Sequence, residues 1–332
     1  MSRPHSNDVS RRGFLKTAGA GAAATAALSG AALQGQDESP LPQRILGKTG
    51  VRIPVLGLGT APAGHRPRKE AAKFYDHAIS QGVTYMDTAP EFTGYGVAQQ
   101  ALGDVLKERR DEVFLVTKCY EPDGEKALAL LKQNLEELQT DHADLVYAHS
   151  LGADKMDPDT VLGPRGVFKA LEKARRDGLC RFIGATGHNR PGRFLRVLEE
   201  VDLDVIMNAV NYVVRHIYNF EERVWAEARR KNVGLVAMKV LGGMYQMQTA
   251  PPDKRAKGGR IQGKDAELAF RYAMGLPGVS TVVLGCFDEA ELAQAIAWAK
   301  NFQPLSPQQE QTLLAQGKQL AEKWGEVYGP VV

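Results

Sequence analysis

Three residues able to move protons or hold charge recur at one interval: Asp87, Lys118 and His149 are separated by 31 and 31 positions. Each stands at the end of a short apolar run. An Asp beside a Lys in a partly buried setting keeps both charged, and the ammonium depresses the pKa of a neighbouring phenol or thiol. The stretch Asp87-Thr88-Ala89-Pro90-Glu91-Phe92-Thr93-Gly94-Tyr95-Gly96 supplies such a phenol in Tyr95. Carboxylate, ammonium, phenol and imidazole together make a general acid with the groups that tune and orient it. Singly, an Asp at a strand end is a turn or helix cap and a lone Lys or His is solvated or satisfied by backbone. The regular spacing is what sets these three apart.

The spacing follows from the elements around it. Eight short β-rich runs, at 53–58, 83–87, 113–117, 143–148, 180–185, 205–210, 233–238 and 281–284, alternate with amphipathic stretches. Leu128, Leu131, Leu135 and Leu138 show the helical period in one of these stretches. Strands that read as continuous apolar runs, one per roughly 30 residues, predict an α/β protein whose parallel sheet closes into a (β/α)8 TIM barrel. Active sites of that fold sit at the carboxyl ends of the strands, and equal spacing predicts matching heights for Asp87, Lys118 and His149 on adjacent strands. An open doubly wound sheet is the alternative, but Gly57-Leu58-Gly59-Thr60 is followed by Pro62 and not by a glycine fingerprint leading into a helix. Residues 44–46 and 51–53 around Gly47-Lys48-Thr49-Gly50 predict an N-terminal β-hairpin that plugs the barrel floor, and 307–324 an extra C-terminal helix.

Composition narrows the partners. With 43% hydrophobic and 24% charged side chains in 332 residues, the chain can bury a large core. Of 42 basic and 39 acidic residues, four basic and one acidic lie in the first 36 positions, leaving 38 of each in the remainder. A neutral body has no field suited to nucleic acid. Cys119, Cys180 and Cys286 have no metal-ligand spacing, and no metal site is expected. Residues 10–16 read Ser-Arg-Arg-Gly-Phe-Leu-Lys and precede an uncharged Ala/Gly-rich run over 17–33. This resembles a twin-arginine export signal, so 1–36 is expected to be removed and 37–332 to form one domain. The translocation machinery is then a partner, and the mature protein is periplasmic or extracytoplasmic. The run is too short and too weakly apolar for a stable membrane span.

Several motifs together resemble the aldo-keto reductase family over nearly the whole mature chain. They are Gly57-Leu58-Gly59-Thr60, Asp87-Thr88-Ala89 with Tyr95-Gly96 and Leu102-Gly103, Thr117-Lys118, 144–149, Ile183-Gly184-Ala185-Thr186 and Leu241-Gly242-Gly243. The resemblance implies reversible hydride transfer between NADP or NAD, with NADP only slightly preferred since Ala295 stands where the family has the Asn favouring a 2′-phosphate, and a small-molecule aldehyde, ketone or sugar-like carbonyl. It casts Tyr95 as proton donor, Lys118 paired with Asp87 as the group lowering the phenol pKa, and His149 as the residue orienting the carbonyl. In typical members the tyrosine stands five residues after the aspartate, which here is Phe92; a three-residue insertion restores Tyr95. The implied cofactor contacts are Gly59, Thr60, Thr186, Asn208, Lys239, Leu241, Gly243 and Gly285. Residues 285–287 open a helix near Asp288 whose N-terminus can receive a phosphate or be capped by that Asp. The basic stretch 251–264 is a lid over the pyrophosphate or a solvated loop. Two other readings stand beside the reductase: an exported nicotinamide-binding sensor or interaction protein with little turnover, and a barrel isomerase or lyase using Lys118 as a Schiff-base nucleophile.

Overall fold

A computed structural model of the chain describes residues 39–243 and 260–332. The expected export signal and most of the basic 251–264 stretch lie outside the described residues. The chain from Pro40 to Val332 forms one compact unit. It begins with an antiparallel pair, β1 (Gln43–Ile45) and β2 (Arg52–Pro54). The expected first strand over 53–58 therefore divides. Pro54 has no N–H to extend a ladder, and the chain leaves the hairpin there to enter the barrel as β3 (Leu56–Gly59).

The barrel then alternates strand and helix in chain order: α1 (Arg68–Ser80), β4 (Tyr85–Asp87), α2 (Ala98–Arg109), β5 (Phe114–Cys119), α3 (Gly124–Glu137) and β6 (Ala143–Ala148). After α4 (Pro158–Leu162) and α5 (Val167–Arg176) come β7 (Cys180–Gly187), α6 (Pro191–Glu200) and β8 (Val205–Ala209). The circuit ends with α7 (Phe220–Arg223), α8 (Trp225–Arg230), β9 (Gly234–Met238), α9 (Lys264–Gly275), β10 (Val279–Leu284) and α10 (Glu289–Lys300). The parallel strands β3 to β10 close on themselves, with β10 pairing β3. A further helix, α11 (Pro307–Trp324), starts at a capping box between Ser306 and Gln309. The eight-stranded barrel, the hairpin and the C-terminal helix are those expected.

Two cores result from the period-2 alternation of strands buried on both faces. One lies between strands and helices. The other fills the barrel and contains Tyr85, Phe114, Val116, Leu145, Tyr147, Val205, Met207, Val236, Met238 and Val283. Leu46 and Ile53 of the hairpin join this inner cluster and seal the floor. Gly47 allows the close seat: its φ is +49°, and a Cβ there would meet Gly234 N at 2.3 Å.

Candidate active site

The inward-facing positions of successive strands carry the chemistry. Asp87 lies opposite Val116, and Lys118 lies opposite Tyr147. Each functional residue thus stands two positions beyond the partner of the one before, so their heights are staggered in the ladder instead of matching. A two-residue step preserves the face, which is why Asp87, Lys118 and His149 all continue inner columns begun by Tyr85, Val116 and Tyr147. The long Lys118 stem closes the stagger. Its Nζ donates to Asp87 Oδ2 at 2.8 Å, to Thr88 O at 2.7 Å and to Tyr95 Oη at 3.1 Å. All three ammonium protons are engaged and the residue is 1% exposed. A Schiff-base role would need this amine free, and the geometry removes that premise.

Tyr95 reaches the site because two left-handed glycines bracket it. A short 3-10 turn, Glu91–Thr93, ends at Gly94 with φ +92°, and Gly96 follows at φ +54°. A Cβ on Gly96 would lie 2.3 Å from Gly64 O. The turn swings Phe92 outward, where it is 61% exposed. Tyr95 Oη instead donates to Asp87 Oδ2 at 3.4 Å, a long hydrogen bond.

Burial dominates the electrostatics. It pushes the Asp87 carboxyl up and pulls the Lys118 ammonium down, while their contact opposes both shifts. Tyr95 departs from the sequence expectation. Its phenol is pushed well above its usual range, first by burial and then by the Asp87 charge, so it holds its proton firmly. The carboxylate offsets what the ammonium alone would do.

His149 follows β6 with Nδ1 2.9 Å from Thr186 Oγ1 and its ring edge-on to Tyr120. Burial, then Lys118, drive its pKa well below the ordinary imidazole value, and burial with Lys239 takes His188 to about 3. Both rings are neutral near pH 7.

Beside these groups opens a cleft with a cavity volume of about 130 Å³, open to solvent. Of the expected cofactor contacts, Gly59, Lys239, Leu241, Gly243 and Gly285 line it together with Asp87 and Tyr95. Thr60, Thr186 and Asn208 do not. Asn208 sits between the inward Met207 and Ala209, so alternation turns it toward the helices, where its Oδ1 accepts from Trp225 Nε1 at 3.0 Å and its Nδ2 donates to Gly187 O at 3.3 Å. Thr60 follows the inward Gly59 and donates to Asp87 O at 3.1 Å. Thr186 does face inward, but its hydroxyl is engaged by His149. At α10, Asp288 caps Glu291 N and the Glu291 carboxylate accepts from Phe287 N at 2.7 Å. The first turn is self-capped, as the capping alternative expects.

Sequence reasoning missed Val283 and Phe287 as cleft walls. The signal was available, because 283, 285 and 287 share one parity. Met238, Val283 and Phe287 make an apolar wall, and glycines at 59, 243 and 285 keep it open. Asp87 Oδ1 is buried with no partner among the described residues. A planar heteroaromatic ring with an attached hydroxyl-bearing sugar fits this combination of flat apolar wall and orphan acceptor. Among the described residues there is no cluster of three or more His, Cys, Asp or Glu suited to a metal.

Residues 55–315 match the model described as Aldo/keto reductase family. The chain is 23% identical over 297 residues to L-galactose dehydrogenase of Arabidopsis thaliana, covering 80% of this chain and 91% of that one. It is 24% identical over 320 residues to pyridoxal 4-dehydrogenase of Microbacterium luteolum, covering 77% and 92%. An aldo-keto reductase from Bacillus halodurans, in its holo form, shares the fold with a TM-score of 0.67 at 21% identity, over 83% of this chain and 96% of that one.

Proposed function

The chain belongs to the aldo/keto reductase family of oxidoreductases, and from that premise we propose that it reduces a small carbonyl compound with Tyr95 as the general acid. The observation that carries this reading is the Lys118–Tyr95–Asp87 contact set at the cleft, with distances of 3.1, 3.4 and 2.8 Å. A reduced nicotinamide bound beside Met238, Val283 and Phe287 would supply the hydride. Asp87, Gly59, Leu241, Gly243 and Gly285 are the residues that would hold it. Tyr95 gives its phenolic proton to the carbonyl oxygen as that oxygen gains charge. Lys118 stabilises the resulting phenolate, and Asp87 keeps Lys118 charged and in place. His149 is neutral; with Nδ1 taken by Thr186, it offers Nε2 to the carbonyl oxygen.

The family resemblance slightly favours NADP over NAD. The names of similar proteins put aldoses and pyridoxal-like aldehydes first among trial substrates. We also propose export by the twin-arginine route, on the strength of Arg11-Arg12 and the Ala/Gly-rich run after them.

The test is aldehyde-dependent oxidation of NADPH and NADH, with binding followed separately. Tyr95→Phe is expected to lose about 10²- to 10⁴-fold in kcat while cofactor still binds, and Phe92→Tyr to change little. Cofactor binding with no turnover on any carbonyl would replace this reading with that of a nicotinamide-binding sensor. Fractionation of cells making the chain with Arg11→Lys and Arg12→Lys tests export: accumulation in the cytoplasm supports it, and unchanged distribution removes it.

A further inference from the structure

We propose that Gln99 is a positioning residue for the proton transfer: its buried amide ties the start of α2, which follows Tyr95, to the end of β5, which carries Lys118, and so fixes the phenol against the ammonium. This rests on the reductase reading and adds to it a residue that stands behind the strands, outside the lining of the cleft.

The connection begins with distance along the chain. Tyr95 stands three residues before Ala98, where α2 begins, and Gln99 is the second residue of that helix. Tyr95 O accepts from Ala98 N at 3.2 Å, and Val97 N donates to Gly64 O at 2.9 Å. Phenol and amide are thus the two ends of one braced segment, and whatever holds Gln99 also holds the backbone of Tyr95.

Strand parity supplies the other half. On β5, Val116 and Lys118 face the barrel interior, while Thr117 faces the helices with Leu115 and Cys119. Gln99 Oε1 accepts from Thr117 Oγ1 at 2.7 Å. Gln99 Nε2 donates to Asn134 Oδ1 at 3.2 Å and to Glu137 Oε2 at 2.8 Å, both on α3. Asn134 Nδ2 in turn donates to Lys118 O at 3.0 Å. The Glu137 carboxylate and the Lys118 carbonyl accept and do not donate, so each amide nitrogen faces them and the direction of every bond in the chain follows. Lys118 O depends on this partner. Thr88 N, just past β4, takes Val116 O at 3.0 Å, and β4 has ended before the next carbonyl on that side. The network therefore grips β5 twice, by the side chain of Thr117 and by the backbone of Lys118.

Two features set it apart from ordinary packing. Gln99, Thr117 and Asn134 are buried, and the neighbouring positions Ala101, Leu102, Leu131 and Leu135 of α2 and α3 belong to the apolar outer core. Apolar residues would serve stability there as well, whereas a buried network whose amide and hydroxyl atoms are all partnered specifies one arrangement. Gly103 makes room for it: a Cβ there would lie 2.4 Å from Glu137 O, so glycine lets α2 approach α3 closely enough for one amide to bridge α3 and β5. The contact thereby fixed is that of Lys118 Nζ with Tyr95 Oη, at 3.1 Å. A displacement of about 1 Å between reacting groups costs on the order of 10²-fold in rate.

The test follows reduction of 4-nitrobenzaldehyde by NADPH in Gln99→Leu, with Leu46→Ala as a control that weakens the floor of the barrel instead. Gln99→Leu is expected to lower kcat about 10- to 100-fold, with little change in the KM for the aldehyde or in NADPH affinity read by fluorescence quenching. Thr117→Val keeps the shape of the side chain without its hydroxyl and is expected to lose a smaller factor. Thr117→Ser restores the hydroxyl and is expected to keep most of kcat. Protein made with 3-fluorotyrosine gives a readout without turnover. The fluorine resonance of Tyr95, assigned by its absence in Tyr95→Phe, is expected to shift or broaden in Gln99→Leu and Thr117→Val, and to stay in place in Thr117→Ser and Leu46→Ala. That pattern supports the positioning role even if no aldehyde is reduced, in which case the reductase reading alone fails. An unchanged Tyr95 resonance in Gln99→Leu would overturn the role. So would equal behaviour of Thr117→Val and Thr117→Ser, or a loss of kcat in Leu46→Ala matching that of Gln99→Leu. Should Gln99→Leu not fold, the Thr117 pair decides by itself.

Discussion

The floor and the rim of the barrel use the same inward faces and solve opposite problems. At the floor, Tyr85 and Tyr147 put their hydroxyls 3.2 Å apart, and Leu46 and Ile53 close over the inner cluster from the hairpin. Two residues further along the same strands, Tyr85 gives way to Asp87 and Tyr147 to His149, and the rim holds an ammonium 1% exposed against a carboxylate 3% exposed. The floor gains stability from apolar area removed from water. The rim sets the desolvation of two charges against their attraction, a balance that is close to neutral at best. The same alternation thus yields a stabilising end and an end that keeps ionised groups at the edge of a cleft.

The largest effect that would sharpen this contrast is expected from Lys118→Met. It strips Asp87 of its partner in a buried place, so denaturant unfolding should show a loss of about 3–5 kcal/mol and turnover should fall about 10³-fold or more. If stability is unchanged, the attraction of Lys118 does not offset the desolvation of Asp87. Leu46→Ala at the floor should cost about 2–5 kcal/mol while kcat of the folded protein stays the same; a fall in kcat would mean the two ends are coupled. Another buried carboxyl, Glu221 in α7, accepts the Tyr272 hydroxyl at 3.3 Å and a backbone N–H, and feels the Arg215 charge, but burial outweighs all three. Burial raises its pKa from 4.5 to about 7. Between these values the unfolded chain gives up a proton that the folded chain keeps, so folding stability falls as pH rises from about 4.5 to 7 and levels off above. The shift corresponds to about 3 kcal/mol, and Glu221→Gln should flatten that part of the stability profile. Smallest is Tyr147→Phe. It leaves one floor hydroxyl without its partner, for about 1–2 kcal/mol, and should not alter turnover.

Much of this was legible in the sequence because two periods carry it. The recurrence of apolar runs with helical stretches between them marks the closed barrel, and the shared interval marks Asp87, Lys118 and His149. The strand boundaries were less legible. Ile53 and Leu56 read as one run, but Pro54 assigns the first to the hairpin and the second to the barrel. Asn208 and Thr60 do not line the cleft, because single-residue parity decides which face a side chain takes and motif matching ignores parity. Tyr95 was visible as the phenol of the loop after Asp87, but matching it to the family's usual spacing took an inferred insertion. The electrostatics ran the other way from expectation, since burial and Asp87 outweigh the ammonium at the phenol.

By itself, then, the sequence determined the architecture and the residue types of the site, because periodic burial and covalent spacing are local properties of the chain. Tertiary structure decided which hydroxyl stands by Lys118, which amide faces the helices, and that Lys239 lines the cleft. Those outcomes depend on left-handed turns at Gly94, Gly96 and Lys239 and on packing by elements distant in sequence, such as the C-terminal segment whose Tyr328 ring lies against His188. Contacts of that range arise only when the barrel has closed.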